Sequence, residues 1–141
     1  MKRFSQVSAL VFGLALVPAF AAAQAGGLTV TEIVTSRAYT AADGATDPTT
    51  TFGGSDGRIY VMVRVQNTTG AEADIRVTFE RAEGTASDGA TTGGVELHIP
   101  ASRRYRTVAR TSTSRPAGRY RAVVRTADGA VIGQVEFEIT E

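Results

Sequence analysis

The stretch that decides the fold is GRYRAVVRTADGAVIGQVEFEIT, residues 118–140, where two runs of alternating apolar and polar residues flank Asp128-Gly129. An Asp-Gly pair between such runs predicts a β-hairpin with a two-residue type I′ turn, which pairs Ala127 with Ala130. A slip of one residue would exchange the two faces, so the alternation supports a single register. Counting outward, the predicted pairs are Tyr120 with Phe137, Ala122 with Val135, Arg121 with Glu136, and Arg119 with Glu138.

The same two-residue alternation continues upstream, and no segment of residues 26–141 shows the period of a helix. In residues 58–66, Ile59, Val61, Val63 and Val65 share one face, which we interpret as the core face. Seven short strands in one domain predict an all-β, immunoglobulin-like antiparallel β-sandwich. The predicted strands are Leu28–Ala38, Arg58–Gln66, Ala73–Arg81, Gly94–Ile99, Arg103–Thr111, Gly118–Thr126 and Ala130–Thr140.

Two segments do not fit the strand pattern. Thr40–Gly57 is rich in Thr, Gly, Ala and Asp and contains one large apolar residue, Phe52, while Glu83–Gly93 contains none. Loops of this length are uncommon in compact domains and are functional or mobile when they occur. We therefore predict an irregular loop at each segment.

Residues 1–25 have the layout of a secretory signal peptide. Lys2 and Arg3 precede an apolar stretch that runs from Val7 to Val17, and small residues follow at 21–25. A membrane-spanning helix needs about 20 apolar residues, more than this stretch provides, so a cleaved leader is favoured over an anchor. Cleavage after Ala25 and after Ala23 both fit, and the first is preferred. Residues 26–141 would then form one domain.

Composition sets the expected compartment and excludes several partners. The absence of cysteine excludes a lipid-modified cysteine and all thiolate chemistry. We therefore expect no membrane association after cleavage. Together with the leader, this composition predicts a bacterial protein that is periplasmic or secreted, and we expect a monomer. Without the leader the chain has 13 arginines and no lysine against 14 acidic residues, a net charge of −1. This balance argues against general nucleic-acid binding.

No catalytic or metal-binding pattern is present. A serine hydrolase needs a base beside its nucleophile, but His98 is the only histidine and the alternation of its strand places it on the outward face. One histidine and no cysteine disfavour zinc and copper. Asp43, Asp47 and Asp56 share the long loop and leave weak calcium binding open, although their spacing fits no compact calcium loop. We expect no cofactor and no enzymatic activity.

Arginine is concentrated between Pro100 and Ala127, where there are eight arginines and no acidic residue. Arg119 and Arg121 face glutamates in the predicted hairpin. The other side chains suggest a surface for an anionic partner, such as an acidic protein patch, a lipid headgroup or a polysaccharide. Alternatively, they solubilise a sheet face and guard an edge strand against pairing. The candidate partner-binding residues are Arg103, Arg104, Tyr105, Arg106, Arg110 and Arg115.

A resemblance covers residues 37–139. It comprises Phe52 in a polar loop, the strand IYVMVRVQN at 59–67, Tyr105-Arg106-Thr107, and a Gly-Arg-Tyr opening at 118–120. The arrangement resembles a family of bacterial exported β-sandwich domains of unknown function, which typically place Trp near Phe79, Tyr105 and Tyr120. The resemblance implies an accessory or interaction domain with no catalytic residue. A looser similarity is to immunoglobulin-like bacterial proteinase inhibitors.

Together, these observations predict an exported, non-enzymatic binding module. The partner is a protein or an anionic surface, and the candidate arginines or the long loop would contact it. The alternative is a proteinase inhibitor that presents the loop Thr40–Gly57 to its target.

Overall fold

The computed structural model describes residues 24–82 and 94–141, which form two packed β-sheets. The strands are β1 (Gln24–Ala25), β2 (Leu28–Ser36), β3 (Tyr39–Thr40), β4 (Gly44–Ala45), β5 (Thr51–Gly53), β6 (Arg58–Asn67), β7 (Ala73–Arg81), β8 (Val95–Ile99), β9 (Arg104–Ser112), β10 (Gly118–Thr126) and β11 (Val131–Thr140). One sheet has the order β1-β2-β6-β9 and the other β5-β11-β10-β7-β8, while β3 and β4 form a separate hairpin. The predicted β-sandwich is therefore confirmed.

The seven predicted strands correspond to the seven long strands, with small differences at their ends. The core lies between the two sheets and contains Ile59, Val61, Val63 and Val65 of β6, as the alternation predicts, together with Ile75, Val77 and Phe79 of β7. Met62 is an exception, because it points to the opposite face and is nevertheless buried. The hairpin of β3 and β4 covers it, and Gly44 of that hairpin lies next to its Sδ atom.

An immunoglobulin-type feature closes one end of the sandwich. The hydroxyl of Tyr120, near the start of β10, donates a hydrogen bond of 2.5 Å to the carbonyl oxygen of Pro116, four residues upstream. A tyrosine hydroxyl bound back to the preceding backbone is a hallmark of immunoglobulin-like sandwiches. The ring of Tyr120 stacks on that of Phe137 across the β10–β11 pair, at 5.8 Å between centroids.

The register of the last hairpin is confirmed for all four predicted pairs. The turn itself differs from the prediction. The Gly129 N–H donates to the carbonyl of Thr126, and the Thr126 N–H donates to the carbonyl of Ala130. Gly129 has a φ of +90°, whereas Asp128 does not adopt a positive φ. The connection is thus a three-residue loop with a glycine bulge, and the predicted type I′ turn is wrong.

A second irregularity in β11 restores the register. Arg125 pairs with Val131 and Val124 pairs with Gly133, so Ile132 is an extra residue in the ladder. This bulge moves the strand by one position in the direction opposite to the turn's shift, and the two displacements cancel. It also changes the alternation, so that Ile132 enters the core with no exposed surface.

The prediction of an irregular loop at Thr40–Gly57 is wrong for much of its length. Its first residues complete the β3–β4 hairpin, and Thr51–Gly53 forms β5, which pairs in parallel with β11 at the edge of the five-stranded sheet. Phe52 is fully buried and meets the ring of Phe137 edge to face, with centroids 6.0 Å apart. Burial of this one apolar side chain attaches the segment to the sandwich.

The leader prediction concerns residues 1–25, of which residues 1–23 lie outside the described part of the chain, as does the predicted loop Glu83–Gly93. Gln24 and Ala25 form β1, which pairs with Thr29 and Leu28 of β2. Cleavage after Ala25 would remove this short strand, whereas cleavage after Ala23 would keep it.

Candidate functional site

The candidate site is the outer face of the four-stranded sheet beside β9. Residues directly opposite each other in antiparallel strands point to the same face. Arg104, Arg106 and Arg110 of β9 lie opposite Gln66, Arg64 and Tyr60 of β6, respectively, and Arg58 shares their face. Across β2, β6 and β9, this face has five arginines, at 58, 64, 104, 106 and 110, and one acidic residue, Glu32.

Arg106 fastens the β3–β4 hairpin onto this face. One of its terminal nitrogens, Nη2, donates to the carbonyl oxygens of Ala41 at 2.6 Å and Ala42 at 3.4 Å, in the loop that joins β3 to β4. Its guanidinium carbon also lies 6.0 Å from the ring centroid of Tyr39. Gly44 allows this close approach, because a Cβ there would lie 2.8 Å from Nη1 of Arg106. Arg106 is therefore a structural anchor.

Aromatic rings extend the contact between the hairpin and the sheet. Tyr39 stacks on Tyr60 of β6, with 6.4 Å between centroids and 20° between planes. The guanidinium of Arg110 lies 5.9 Å from the centroid of Tyr60. Met62 is buried, and its Sδ atom lies next to Gly44 of β4. The hairpin thus covers the middle of the sheet face and leaves the end near Arg104 open.

An open cleft of about 810 Å³ lies between the hairpin and this end of the sheet. Arg104 is exposed at its edge and forms no hydrogen bond or ion pair within residues 24–82 and 94–141. Arg64 pairs with Glu32 at 2.9 Å, so the one carboxylate of the face is neutralised. The cleft is lined by Thr31, Tyr39, Ala41, Arg64, Val65, Gln66, Arg104, Tyr105 and Arg106.

The structure places the six predicted site residues in different environments. Arg103 is exposed just before β9, and Tyr105, which is 37% exposed, points to the interior side of the sheet opposite Val65. Arg115 does not share the face. Its guanidinium lies 5.4 Å from the ring centroid of Phe79 and donates to the hydroxyl of Thr111. Arg115 is half-buried there, apart from the arginines of β9.

The remaining arginines of the predicted band belong to the other sheet. There, Arg119 pairs with Glu136 at 3.1 Å, so the register of the hairpin is right but the ion pair is diagonal. Arg125 pairs with Glu80 at 2.9 Å and donates to the hydroxyl of Thr78. Arg119 and Arg125 therefore have carboxylate partners on the outer face of the five-stranded sheet, whereas the face beside β9 has five arginines and one glutamate.

Two further groups of titratable side chains lie away from the site. Nδ1 of His98 is 3.0 Å from an oxygen of Asp74 and its Nε2 is 3.5 Å from Glu72, so the hydrogen bond to Asp74 and the nearby Glu72 raise the pKa of His98. The Gly53 N–H and the guanidinium of Arg37 both bind Asp56 and lower the pKa of that carboxyl group.

Arg37 also pairs with Asp47, at 3.8 Å, so two of the three carboxylates considered for calcium flank one arginine. Within the described ranges, no three histidine or carboxylate side chains come together as a metal site would require. Among the residues that the structure describes, no helix is long and apolar enough to cross a membrane.

Sequence reasoning missed the contribution of β6 and β3 to the site. Alternation with Ile59 and Val65 puts Tyr60 and Arg64 on the outward face of β6, but nothing local in the sequence specifies that β9 is the neighbouring strand. Tyr39 lies between the predicted first strand, which ends at Ala38, and the predicted loop, which begins at Thr40. The signal that was available is the outward set of β6, which carries two arginines and one tyrosine.

Comparisons with known proteins identify the architecture. No protein-family model matches the chain, and no curated protein matches its sequence. Among solved structures, the C-terminal domain of Wzt is similar over 89% of this chain and 80% of its own, with a TM-score of 0.56 and 9% identity. An immunoglobulin-like protein from Pseudomonas aeruginosa is similar over 77% and 92%, with a TM-score of 0.51 and 13% identity.

Several similar structures are far longer than this chain. The alkylpurine DNA glycosylase AlkC of Pseudomonas fluorescens is similar over 82% of this chain but 31% of its own length, with a TM-score of 0.52 and 14% identity. The chain spans 13% of a β-glucosidase from Kluyveromyces marxianus. At these identities, the comparisons show an immunoglobulin-like β-sandwich and not a particular family.

Proposed function

We propose that the chain is an exported, non-enzymatic binding module that recognises an anionic partner on the outer face of the four-stranded sheet. One observation carries the proposal: five arginines share this face with one glutamate, and Arg104 is exposed there without a partner in the described part of the chain. The planar guanidinium of arginine binds carboxylate and phosphate groups through two parallel hydrogen bonds. The leader-like segment at positions 1–25 supports a periplasmic or secreted location.

The competing explanation is that the arginines only protect the edge of the sheet. Charged side chains on an edge strand discourage pairing with other chains, and they need no ligand for that purpose. The two explanations differ in what a single charge reversal does. Loss of one protective charge leaves the others in place, whereas reversal of a ligand-binding charge weakens binding directly.

The test compares Arg104→Glu with Arg76→Glu. Arg76 is an exposed arginine of the other sheet that pairs with Glu96. Both variants replace an arginine with a glutamate, so they change the net charge equally. Binding of fluorescent poly-glutamate would be measured by anisotropy at low and physiological salt, with poly-lysine as the negative probe. We expect Arg104→Glu to weaken binding at least about tenfold, or 1.4 kcal/mol, and Arg76→Glu to change it little. Equal effects of the two variants would assign binding to net charge alone and refute a site at this face.

Arg106 is unsuitable for this test, although it belongs to the predicted site. Its reversal would break the hydrogen bonds to Ala41 and Ala42 and release the hairpin. A binding defect in such a variant would then have two causes. Arg103 and Arg104 have no such role and are the informative positions.

The proteinase-inhibitor alternative has less support. An inhibitory loop projects from its scaffold into the protease, but in Thr40–Gly57 the end near Phe52 is buried or paired with β11. Ala41, Ala42 and Asp43 form the exposed tip of the segment. Incubation with serine, cysteine, aspartic and metalloproteases tests this alternative, and inhibition that disappears when the tip is replaced by glycine and serine would support it.

A further inference from the structure

The free edge of β9 offers more than positive charge. In the described part of the chain, β9 pairs only with β6 and forms the last strand of its sheet. It is nine residues long, from Arg104 to Ser112, whereas β5 at the edge of the other sheet has three. An edge strand has a row of backbone groups that are available to a further strand.

The hydrogen-bond pattern identifies which residues of β9 supply those groups. At one end of the β6–β9 ladder the Asn67 N–H donates to the carbonyl of Arg103, and at the other end the Thr113 N–H donates to the carbonyl of Gly57. In an antiparallel pair, hydrogen-bonded and non-hydrogen-bonded residues alternate. The N–H and C=O groups of the odd-numbered residues of β9 therefore form hydrogen bonds with β6. The even-numbered residues of β9 direct their N–H and C=O groups toward the open edge.

Those even-numbered residues are the ones that carry the arginines. Arg104, Arg106 and Arg110 have their side chains on the outer face, together with Val108 and Ser112. A strand added at this edge would form its hydrogen-bonded pairs with these residues, and directly opposite residues share a face. Every second side chain of the added strand would thus lie beside the row of arginines.

The intervening side chains would face the interior side of the edge. Tyr105 lies there, 37% exposed, and Thr107 is partly exposed beyond it. Apolar or β-branched residues suit such a position, because they would cover the tyrosine ring. A second copy of the chain paired through its own β9 is disfavoured, since it would bring arginines together on one face.

We propose that β9 binds an extended segment of a partner protein by strand addition, and that this segment has acidic residues at alternate positions. The inference rests on the proposed function, since it assigns the anionic partner to a peptide and adds main-chain pairing to charge recognition. Backbone pairing supplies affinity in this mode, and the alternate side chains supply specificity.

Val108 provides a variant that separates the two contributions. Its N–H points to the open edge, so Val108→Pro removes a donor that an added strand needs without removing a bond to β6. Val108→Thr keeps the N–H and is the matched control. The probe is a capped nine-residue peptide that alternates threonine and glutamate. A peptide of the same composition with its glutamates grouped at one end has the same charge without the alternation.

We expect the alternating peptide to bind wild type and Val108→Thr equally, and to bind Val108→Pro at least about tenfold more weakly. The grouped peptide should bind wild type about tenfold more weakly than the alternating one. Equal binding of the two peptides, or of the proline and threonine variants, would overturn strand addition. If Arg104→Glu still weakens binding in that case, the arginine face stands as an anion site, and if it does not, the proposed function fails as well.

Amide hydrogen exchange of the wild-type protein supplies a readout that does not depend on any variant. Binding of the alternating peptide should slow exchange at the amides of Arg106, Val108 and Arg110, which point to the open edge. The amides of Thr107 and Ala109 already bind β6 and should change little. If saturating peptide slows exchange at neither set of amides, main-chain pairing with β9 is excluded.

Discussion

Replacement of Arg106 by alanine should open the β3–β4 hairpin without unfolding the sandwich. The side chain gives the hairpin two hydrogen bonds from a charged donor and one cation–π contact, to Ala41, Ala42 and Tyr39. Hydrogen bonds to a charged group contribute about 1.5–3 kcal/mol. A cation–π contact near the surface contributes about 0.5–1 kcal/mol. Allowing for the partial exposure of Arg106, we expect a loss of about 2 kcal/mol in the free energy of hairpin opening.

Amide hydrogen exchange measures this loss locally. The Thr46 N–H donates to the carbonyl of Ala38, and the Arg37 N–H donates to that of Asp47, so both amides report on the hairpin. A change of about 2 kcal/mol corresponds to roughly thirtyfold faster exchange where opening limits it through its equilibrium. Amides in the centre of β6 and β10 should keep their rates, because their protection depends on the core.

Arg104→Ala is the control, since it removes a neighbouring arginine of the same strand and face that has no partner in the described residues. Arg106→Lys should give an intermediate rate, because lysine keeps the charge without the planar donor group. Equal exchange at Thr46 in the Arg104→Ala and Arg106→Ala variants would refute the anchoring role. So would an increase spread evenly over the whole domain.

Three further changes test the fold and its pH dependence. Phe52→Ala should lower the free energy of unfolding by about 3–5 kcal/mol in urea denaturation, because it empties a fully buried site; a loss below about 1 kcal/mol would mean that the segment is not packed as described. Tyr120→Phe removes the hydrogen bond to Pro116 and should cost about 1 kcal/mol, a cost that Tyr60→Phe should not show. The pKa of His98 is raised above its ordinary value of 6.5 by the hydrogen bond to Asp74, so its stabilising contribution is present below pH 6.5 and is lost as the pH rises through the folded-state value. His98→Gln should therefore destabilise the protein at pH 5 and not at pH 9. An equal difference in Tm between wild type and variant at both pH values would contradict this role of His98.

The long strands could be predicted because the alternation of apolar and polar residues, and the residues that favour turns, depend only on neighbours in sequence. The alternation in β6 assigned its core face correctly. In the last hairpin, the pattern of facing residues fixed the register even though the turn was wrong, since the bulge at Ile132 compensates for the three-residue loop. Side-chain complementarity over many pairs therefore outweighed the geometry of a single turn.

Non-local packing explains what the sequence did not predict. Phe52 is the only large apolar residue of its segment, and three residues of parallel pairing give no periodic signal. The arginine band was misjudged for a related reason. Proximity along the chain grouped β9 with β10, but these strands belong to opposite sheets, where Arg119 and Arg125 of β10 pair with glutamates. The arginines that accompany β9 in space come from β6, which is distant in sequence.

The protective and the recognising interpretations of the β9 arginines are compatible, because both follow from the sign of the charge. A neutral strand that approached the open edge would not compensate the charges of the arginines, and a second β9 would add to their repulsion. A strand with acidic residues at alternate positions would instead match them on one face while it pairs with the outward N–H and C=O groups of Arg104, Val108 and Arg110. The same side chains would then discourage unselective pairing and favour one class of partner, which is how specificity arises from a difference between two affinities. Removal of an arginine charge should therefore weaken binding of the acidic strand and also make the edge less selective among strands. Arg104→Ala should reduce the difference in affinity between a peptide with alternating glutamates and a peptide with alternating glutamines.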